Sequence, residues 1–236
     1  MSNTTNVLDH GFIRLANLAG PIRRPEQEFD AADTDPANSA RMSFGQMDKG
    51  RTEKADHKLA RYLIRNRHST PLEMIEVWVE MKMPIFVARH FVRHRTATIN
   101  EISGRYVKLP AEWYIPETVG ASAENVKQGQ EGTVDPIIEA EYKRRLNDAC
   151  QRDYDDYTWA IESGVTLEEA RFFLHLNHYT HWLWKQDLSN IMRCLSLRDH
   201  SHTQIQSQAY AKAIDAQLRK QLPVLMKAYD DYIRTE

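Results

Sequence analysis

A run of fourteen residues, 93–106, concentrates the side chains of this chain that could do chemistry. It reads RHRTATINEISGRY and places three arginines, a histidine, a glutamate, an asparagine and several hydroxyl groups around Gly104. Arginine binds phosphate through planar, bidentate, permanently charged hydrogen bonds, and Asn, Ser and backbone N–H groups can bind the edges of a nucleotide. The run therefore predicts a site for a phosphorylated, hydrogen-bonding ligand. The alternative is an exposed basic loop without a ligand.

Glycine-rich phosphate-binding motifs are absent from the sequence, which contains neither G-x-G-x-x-G after a strand nor G-x-x-x-x-G-K-[ST]. Any phosphate must therefore be bound by side chains. Two arginines on later predicted helices, Arg171 and Arg198, add donors to those of the run.

Histidines are frequent enough to be tested as metal ligands. His90 and His94 are four residues apart, and His175, His178 and His181 recur at intervals of three. None lies in an H-E-x-x-H motif or has a cysteine partner at ligand spacing. A histidine-based metal hydrolase stays open as an alternative, but these side chains fit core or phosphate-contacting roles better.

Activated nucleophiles are equally hard to find. Ser103 lies next to Gly104 without forming a G-x-S-x-G elbow, and Cys194 lies in an apolar helical stretch without an obvious base. The chemistry is therefore expected to belong to a bound cofactor, with the protein supplying position and charge.

Composition limits the class of protein. The 236 residues can form one sizeable core, and we expect a single domain spanning 1–236. A net charge of −2 disfavours, without excluding, a nucleic-acid-binding module that uses the basic run on phosphates. Two distant cysteines, the lack of a signal-like start and the lack of a long apolar run predict a cytoplasmic protein that does not enter a membrane.

Hydrophobic periodicity predicts the strands that position the site. The clearest strand is 76–83, where strict alternation places Val77, Val79, Met81 and Met83 on one face. The other predicted strands are 11–15, 112–115 and 179–184, the last followed by a polar turn at 185–189. The chain is expected to be frayed up to about Val7, and 117–135 to be a surface loop.

Helical spacing and capping residues predict the remaining elements. Predicted helices are a short one after Thr34, 53–67, a short one opened by a capping box at Thr70, 85–94, 136–163, one begun by a capping box at Thr166, and two C-terminal helices broken at Pro223. Their expected core-facing residues are Ala55, Leu59, Tyr62, Leu63, Ile85, Ala88, Val92, Tyr142, Leu146, Cys150, Tyr157 and Ile161. Helices around a few strands, without βαβ alternation, predict an α+β fold with a small antiparallel sheet. The strands look too few to cover every apolar helix face, so we expect an oligomer.

Read as R-H-R-x-x-[S/T]-x-N-E-x-S-x-R-Y, the run resembles the signature of the flavin-dependent thymidylate synthases. Flanking segments agree with that family: HSTPLE at 68–73, PIFVAR at 84–89, and LSLR at 195–198 followed by His202 and Gln204. The resemblance extends from about Ser43 to Ala213. It implies an enzyme that makes dTMP from dUMP, with 5,10-methylenetetrahydrofolate as carbon donor and NADPH-reduced FAD as hydride source. It also implies a homotetramer whose active sites form where subunits meet.

The resemblance also assigns site residues by position. Those expected to contact FAD are Thr70, Arg93, His94, Arg95, Glu101, Asp187, Leu188, Ser189 and Arg193. Those expected to surround dUMP are His90, Phe91, Val92, Arg93, Glu101, Ile102, Ser103, Gly104, Arg105, Arg171 and Arg198. Arg198 is the expected catalytic residue, pressing its guanidinium against the uracil ring and favouring the ionised N3.

Four places depart from the family pattern. Thr98 stands where serine is usual, His90 where Gln is frequent, and Arg193 where Asn is frequent. The sequence QIQS at 204–207 replaces the commoner Gln-x-Glu-Ile. These differences leave open a relative with an altered substrate, although the arginine set is intact.

Overall fold

An antiparallel sheet of five strands organises the computed structural model, which describes residues 4–46, 52–122 and 130–234. In chain order the strands are β1 (Thr4–Val7), β2 (Gly11–Ala19), β3 (Glu76–Pro84), β4 (Thr98–Glu101), β5 (Gly120–Ser122), β6 (Gln130–Thr133) and β7 (Tyr179–Asp187). The sheet order is β1-β2-β3-β7-β4, and β5 pairs with β6 in a separate two-stranded sheet. The three interior strands β2, β3 and β7, each of nine residues, thus lie side by side.

Helices cover one face of this sheet. They are α1 (Asp35–Arg41), α2 (Glu53–Arg65), α3 (Thr70–Glu73), α4 (Ile85–Phe91), α5 (Pro136–Glu162), α6 (Leu167–Ala170), α7 (Leu188–Arg198), α8 (Ile205–Gln221) and α9 (Pro223–Tyr232), with short 3-10 turns at Met42–Phe44 and Arg171–Phe173. No helix in the described parts of the chain combines the length and apolar character needed to cross a membrane. The expectation of an α+β fold with an antiparallel sheet is confirmed.

Strand β3 forms as its alternation predicts. Val77, Val79, Met81 and Met83 are all buried, because every second side chain of a strand points to the same face. That face packs against the C-terminal helices in one hydrophobic cluster. Among its members are Ile13, Val79, Trp184, Ile191, Leu195, Tyr210, Leu218 and Met226.

Strand β7 runs further than its sequence suggests. The turn expected at 185–189 is wrong, because the alternation of buried residues continues through Trp182 and Trp184 to the buried amide of Gln186. Asp187 then ends the strand and caps α7 by accepting a hydrogen bond from the backbone N–H of Asn190 at 2.9 Å. Strand and helix therefore follow each other without a loop.

The N-terminal segment and the 117–135 segment are more ordered than expected. Thr4–Val7 is not frayed, since it forms the edge strand β1 in antiparallel register with β2. Residues 1–3 lie outside the described part of the chain. The predicted surface loop contains the paired strands β5 and β6, and 123–129 lies outside the described residues.

Several helix faces and boundaries differ from the predictions. On α2 the buried residues include Asp56, because it forms an ion pair with the buried guanidinium of Arg41, whereas Tyr62 is exposed. On α4 the side chain of Phe91 is buried and that of Val92 is exposed, because the helix ends at Phe91. On α5 Tyr142 is exposed while Cys150 and Tyr157 are buried.

Three local predictions also need correction. Thr70 is the first residue of α3 and forms no capping box, since the preceding Ser69 is already helical and makes no side-chain cap. The strand expected at 112–115 is a single bridge between Trp113 and His178. The C-terminal region contains three helices, α7 to α9, where two were expected. The cap at Thr166 is confirmed by its side chain accepting from the N–H of Glu169.

The burial of Phe91 generates a stability prediction. Phe91 is completely buried and meets Trp184 edge to face, with ring centroids 6.1 Å apart. Phe91→Ala is expected to lower the free energy of unfolding by roughly 3–5 kcal/mol, because it removes buried surface and leaves a cavity. Urea denaturation measures this change.

Phe44→Ala is the matched control, since this phenylalanine is 78% exposed. Its free energy of unfolding should stay within about 0.5 kcal/mol of the parent. Equal losses in the two variants would contradict the packing role of Phe91.

Candidate functional site

Strand β4 divides the basic run into two parts. Residues 93–97, before the strand, are called the first end, and residues 102–106, after it, the second end. Before the strand, the backbone makes two tight turns, in which the N–H of His94 donates to the carbonyl of Phe91 at 3.0 Å and that of Ala97 to the carbonyl of His94 at 3.2 Å. After the strand, the N–H groups of Tyr106 and Val107 both donate to the carbonyl of Ser103, at 3.0 and 3.2 Å. Four extended residues separate the two ends by roughly 10–13 Å.

The first end contains the contact between His94 and Arg198. The Nε of Arg198, the last residue of α7, donates a hydrogen bond to Nε2 of His94 at 3.0 Å. Burial, with the positive charges of Arg198 and Arg193, lowers the pKa of His94 from 6.5 to about 4. The imidazole is therefore neutral at physiological pH, as a hydrogen-bond acceptor at Nε2 must be.

His90 lies one helical turn before His94, on α4, and also faces Arg198. Burial, with the charge of Arg198, lowers the pKa of His90 below its ordinary value. Its Nδ1 is buried without a hydrogen-bond partner in the described chain. A buried polar atom without a partner indicates that a ligand, a water molecule or another subunit completes the site.

Helix α7 presents the later residues of the predicted flavin set. Its start is fixed by the N–H of Leu188, which donates to the carbonyl of Ile75 at 2.9 Å and brings α7 close to α3, the short helix that begins at Thr70. Ser189 and Arg193 are four residues apart and share one side of the helix. The capping carboxylate of Asp187 is occupied by its bonds to Asn190.

The second end, which follows β4, lies beside the 3-10 turn that carries Arg171. A Cβ added to Gly104 would lie 3.3 Å from Cδ of Arg171, so the absence of a side chain lets that arginine approach. Arg105 forms an ion pair with Glu168 at 3.1 Å, and Nε of Arg171 donates to the carbonyl of Glu168 at 3.2 Å. The backbone N–H of Arg105 donates to Oγ of Ser103 at 3.2 Å.

Three guanidinium groups at or near the first end have no carboxylate partner in the described residues. Arg93, Arg95 and Arg193 are exposed and form no ion pair with any carboxylate in the described residues, in contrast to Arg41 and Arg219. Free guanidinium groups beside an unpartnered imidazole nitrogen fit an anionic, hydrogen-bonding ligand. The donor set at this end therefore suits a phosphorylated cofactor.

Two predicted site residues cannot use their side chains there. Phe91 and Leu188 are fully buried in the hydrophobic cluster, because α4 and α7 need them to pack on the sheet, so only their backbone atoms can reach a ligand. Val92 and Ile102, in contrast, are exposed. Ile102 directly follows β4, and Val92 directly follows α4.

Sequence reasoning missed two buried polar residues of β7 that hold the run in place. The amide of Gln186 donates to the hydroxyl of Thr96, and the hydroxyl of Thr180 donates to the carboxylate of Glu101. The signal was present for Gln186, because it continues the alternation of Trp182 and Trp184. Because glutamine is polar, Gln186 was assigned to a turn, and the alternation was not extended to it.

Two cavities of the described chain lie away from these residues. A cleft of about 630 Å³ is lined by Leu8, Asp9, Tyr114, Ile115, Glu117, Thr118, Ile205 and Gln206. A much smaller cavity lies beside Cys150 and His175. Neither includes a residue of the predicted site. Among the described residues, no group of three His, Cys, Asp or Glu side chains is placed to hold a metal ion.

Comparison with known proteins identifies the family. Residues 27–224 match the family described as Thy1, thymidylate synthase complementing protein. The chain is 38% identical to a flavin-dependent thymidylate synthase from Thermus thermophilus over 98% of this chain and 79% of that protein. It is also 38% identical to one from Wolbachia pipientis wMel, over 96% of this chain and 76% of that protein. The chain belongs to the flavin-dependent thymidylate synthase family.

Solved structures have the same fold. A UMP/dUMP methylase, PolB from Streptomyces cacaoi bound with 5-Br dUMP, has a TM-score of 0.83 at 24% identity, with 98% of this chain and 99% of that chain covered. The same methylase bound with 5-Br UMP has a TM-score of 0.82 at 25% identity, over 98% and 99% of the two chains. The fold described above is therefore one that a pyrimidine nucleotide methylase also uses.

The neutral state of His94 generates a prediction about pH. Its pKa of about 4 in the folded protein lies below the ordinary 6.5, so between these values the unfolded chain binds a proton that the folded protein does not. The free energy of unfolding should therefore fall as the pH is lowered from about 6.5 to 4. Urea midpoints measured across this range test the trend.

His178 contributes in the same direction, because burial lowers its pKa to about 4 as well. His94→Gln isolates the contribution of His94, since glutamine does not titrate and the fall in stability should become shallower. An NMR titration that finds His94 protonating near pH 6.5 or above would contradict its assignment as neutral.

Proposed function

We propose that this protein is a flavin-dependent thymidylate synthase that converts dUMP to dTMP. It takes its one-carbon unit from 5,10-methylenetetrahydrofolate and uses FAD, with NADPH as reductant. When bound and reduced, FAD supplies the hydride that the reductive methylation needs. The observation that carries the proposal is the group of free guanidiniums around His94 and Arg198, in a chain 38% identical to such enzymes over 98% of its length.

Binding of FAD is assigned to the first end of the run and to α7. Arg93, Arg95 and Arg193 would pair with its phosphates, because these guanidiniums lack carboxylate partners in the described chain. The remaining assigned contacts are Thr70, His94, Glu101, Asp187, Leu188 and Ser189, with Leu188 acting through its backbone.

Binding of dUMP is assigned to both ends of the run. Ser103, Arg105 and Arg171 would hold the phosphate, and His90 and Arg198 would face the pyrimidine. The other assigned contacts are Phe91, Val92, Arg93, Glu101, Ile102 and Gly104. A guanidinium beside the uracil ring stabilises negative charge that develops there, so Arg198 is the proposed catalytic residue.

The chain offers no activated thiol for attack on the pyrimidine. Burial raises the pKa of Cys194 to about 12, and burial also raises the pKa of Cys150. Both thiols therefore stay protonated at neutral pH, where they are poor nucleophiles. This supports a mechanism in which the protein contributes orientation, charge and exclusion of water.

A homotetramer with active sites between subunits is part of the proposal. One chain holds the two ends of β4 roughly 10–13 Å apart, and neither of the two cavities described above includes a residue of either end. Large apolar side chains beside the second end, including Tyr106 and Phe172, are exposed in the isolated chain. A second copy packed there would cover these side chains. The first end of that copy could then lie opposite the second end of this one.

Location in the cytoplasm is proposed on the two free, buried cysteines, which suit a reducing compartment. The nucleic-acid-binding and metal-hydrolase alternatives have no specific observation in their favour. Elemental analysis and a salt-dependent DNA or RNA binding assay would detect them.

The function is tested by the absorbance spectrum and by catalysis. Purified protein is expected to show the spectrum of bound FAD and to form dTMP from dUMP, 5,10-methylenetetrahydrofolate and NADPH. Arg198→Ala should keep FAD but lose at least roughly 100-fold in turnover, the scale for losing a donor to developing charge. Arg93→Ala should bind both FAD and dUMP more weakly, because it removes phosphate donors.

Arg145→Ala serves as the control for removing a guanidinium, since Arg145 lies on the exposed face of α5 and pairs with Glu141. UMP should be assayed beside dUMP, because the similar fold in PolB belongs to a UMP/dUMP methylase. A colourless protein that stays inactive after FAD is added, or normal dTMP formation by Arg198→Ala, would refute the respective assignment.

The shared active site is tested by complementation. Arg198→Ala and Arg171→Ala remove one residue from each end of the run, and each homo-oligomer should be inactive. Co-expressed subunits should regain activity, because some mixed sites would combine an intact first end with an intact second end. Light scattering should give the mass of a tetramer, and a monomer or the absence of regained activity would contradict the shared site.

A further inference from the structure

The guanidinium of Arg198 is held by one side-chain contact. Its Nε donates to Nε2 of His94 at 3.0 Å, and no other hydrogen bond or ion pair to this guanidinium occurs among the described residues. Use of Nε leaves the two terminal nitrogens, with four of the five N–H donors, free for a ligand. The contact therefore fixes the direction of the guanidinium without consuming its ligand-binding edge.

Only one protonation state of His94 permits this contact. Nε2 accepts the hydrogen bond, so the imidazole proton must lie on Nδ1. Burial and the charges that face the ring, Arg198 and Arg193 on α7, keep it neutral, and burial and Arg198 likewise lower the pKa of His90 on α4. A protonated His94 would lose the acceptor and repel the arginine.

The two partners differ in how firmly the fold holds them. The backbone of His94 is fixed through bonds to Phe91 and Ala97, and Phe91 is buried against Trp184. Arg198 is a long side chain on the last residue of α7, where the helix gives way to the turns of 199–203. A firmly held imidazole can therefore order a side chain that would otherwise sample many rotamers.

We propose that His94 is a positioning residue that anchors Nε of Arg198, so that the terminal nitrogens of the guanidinium are presented to the pyrimidine ring of dUMP. This inference rests on the proposed function and adds a role for His94 besides a contact with the flavin. His94 acts through Arg198, so its loss should matter only while the arginine is present. A residue that only contacts the flavin would act independently of Arg198.

A double-mutant cycle separates these roles. His94→Leu is expected to lower kcat by roughly 100-fold, the scale for a misplaced catalytic group, with a much smaller change in KM for dUMP. In an Arg198→Lys background, which has no Nε–H, the same change should have little further effect. His94→Gln should recover part of kcat, because its amide oxygen can accept from Nε.

Bound FAD is measured in every variant, and His57→Leu on α2 is the control for a histidine outside the site. With kcat expressed per bound FAD, equal losses from His94→Leu in the Arg198 and Arg198→Lys backgrounds would overturn the positioning role and assign His94 to the flavin alone.

NMR of the protein without added substrate tests the contact apart from catalysis. Nitrogen-15 spectra should show His94 protonated at Nδ1 only, with no titration between pH 5.5 and 8.5, and the Nε–H of Arg198 protected from solvent exchange. His94→Leu should abolish that protection, whereas His57→Leu should preserve it. Failure to form dTMP together with these signals would refute the proposed function while leaving the contact intact, and absence of the signals would refute the contact.

Discussion

Positive charge gathered without a neighbouring carboxylate is the constraint on which this site depends. Arg193 and Arg198 face His94, Arg93 and Arg95 flank it in the chain, and no described carboxylate pairs with any of them. Burial of the imidazole, together with the charges of Arg198 and Arg193, prevents His94 from taking up a proton at neutral pH. An anionic ligand would offset this concentration of positive charge, which is why FAD, with its phosphate groups, is the cofactor proposed for this end.

The hydrophobic core keeps that charge in place. Strand β7 passes into α7 at Asp187 without a connecting loop, and Ile191, Cys194 and Leu195 pack the helix against the sheet. Arg193 and Arg198 are therefore directed by a rigid strand–helix unit. On the other side of the cluster, burial of Phe91 fixes the turn that carries His94. Packing of α7 and of the turn after α4 in the core therefore holds these positively charged side chains close together despite their mutual repulsion.

The sequence predicted those features that depend on local pattern. Alternation identified β3, and the capping residue Thr166 identified the start of α6, since both signals lie within a few residues. Contacts between residues far apart in the chain explain the predictions that were wrong. The ion pair with Arg41 makes burial of Asp56 on α2 favourable, and pairing with β2 orders the N-terminal segment that was expected to be frayed. In the site, resemblance supplied the residue types, but the bond between His94 and Arg198 joins elements 104 positions apart and could not be predicted from spacing.

The second end of the run follows a different electrostatic logic. Arg105 already has a carboxylate partner, Glu168, but about half of each side chain is exposed to water. Such a pair contributes only about 0–1 kcal/mol, because solvent screens the attraction and ordering two long side chains costs entropy. A phosphate offers more charge and several acceptor oxygens, so it can replace Glu168 at Arg105 with little loss. Arg171 lies against Gly104 and donates to the carbonyl of the same Glu168, so the two guanidiniums lie close together, as the proposed phosphate site requires.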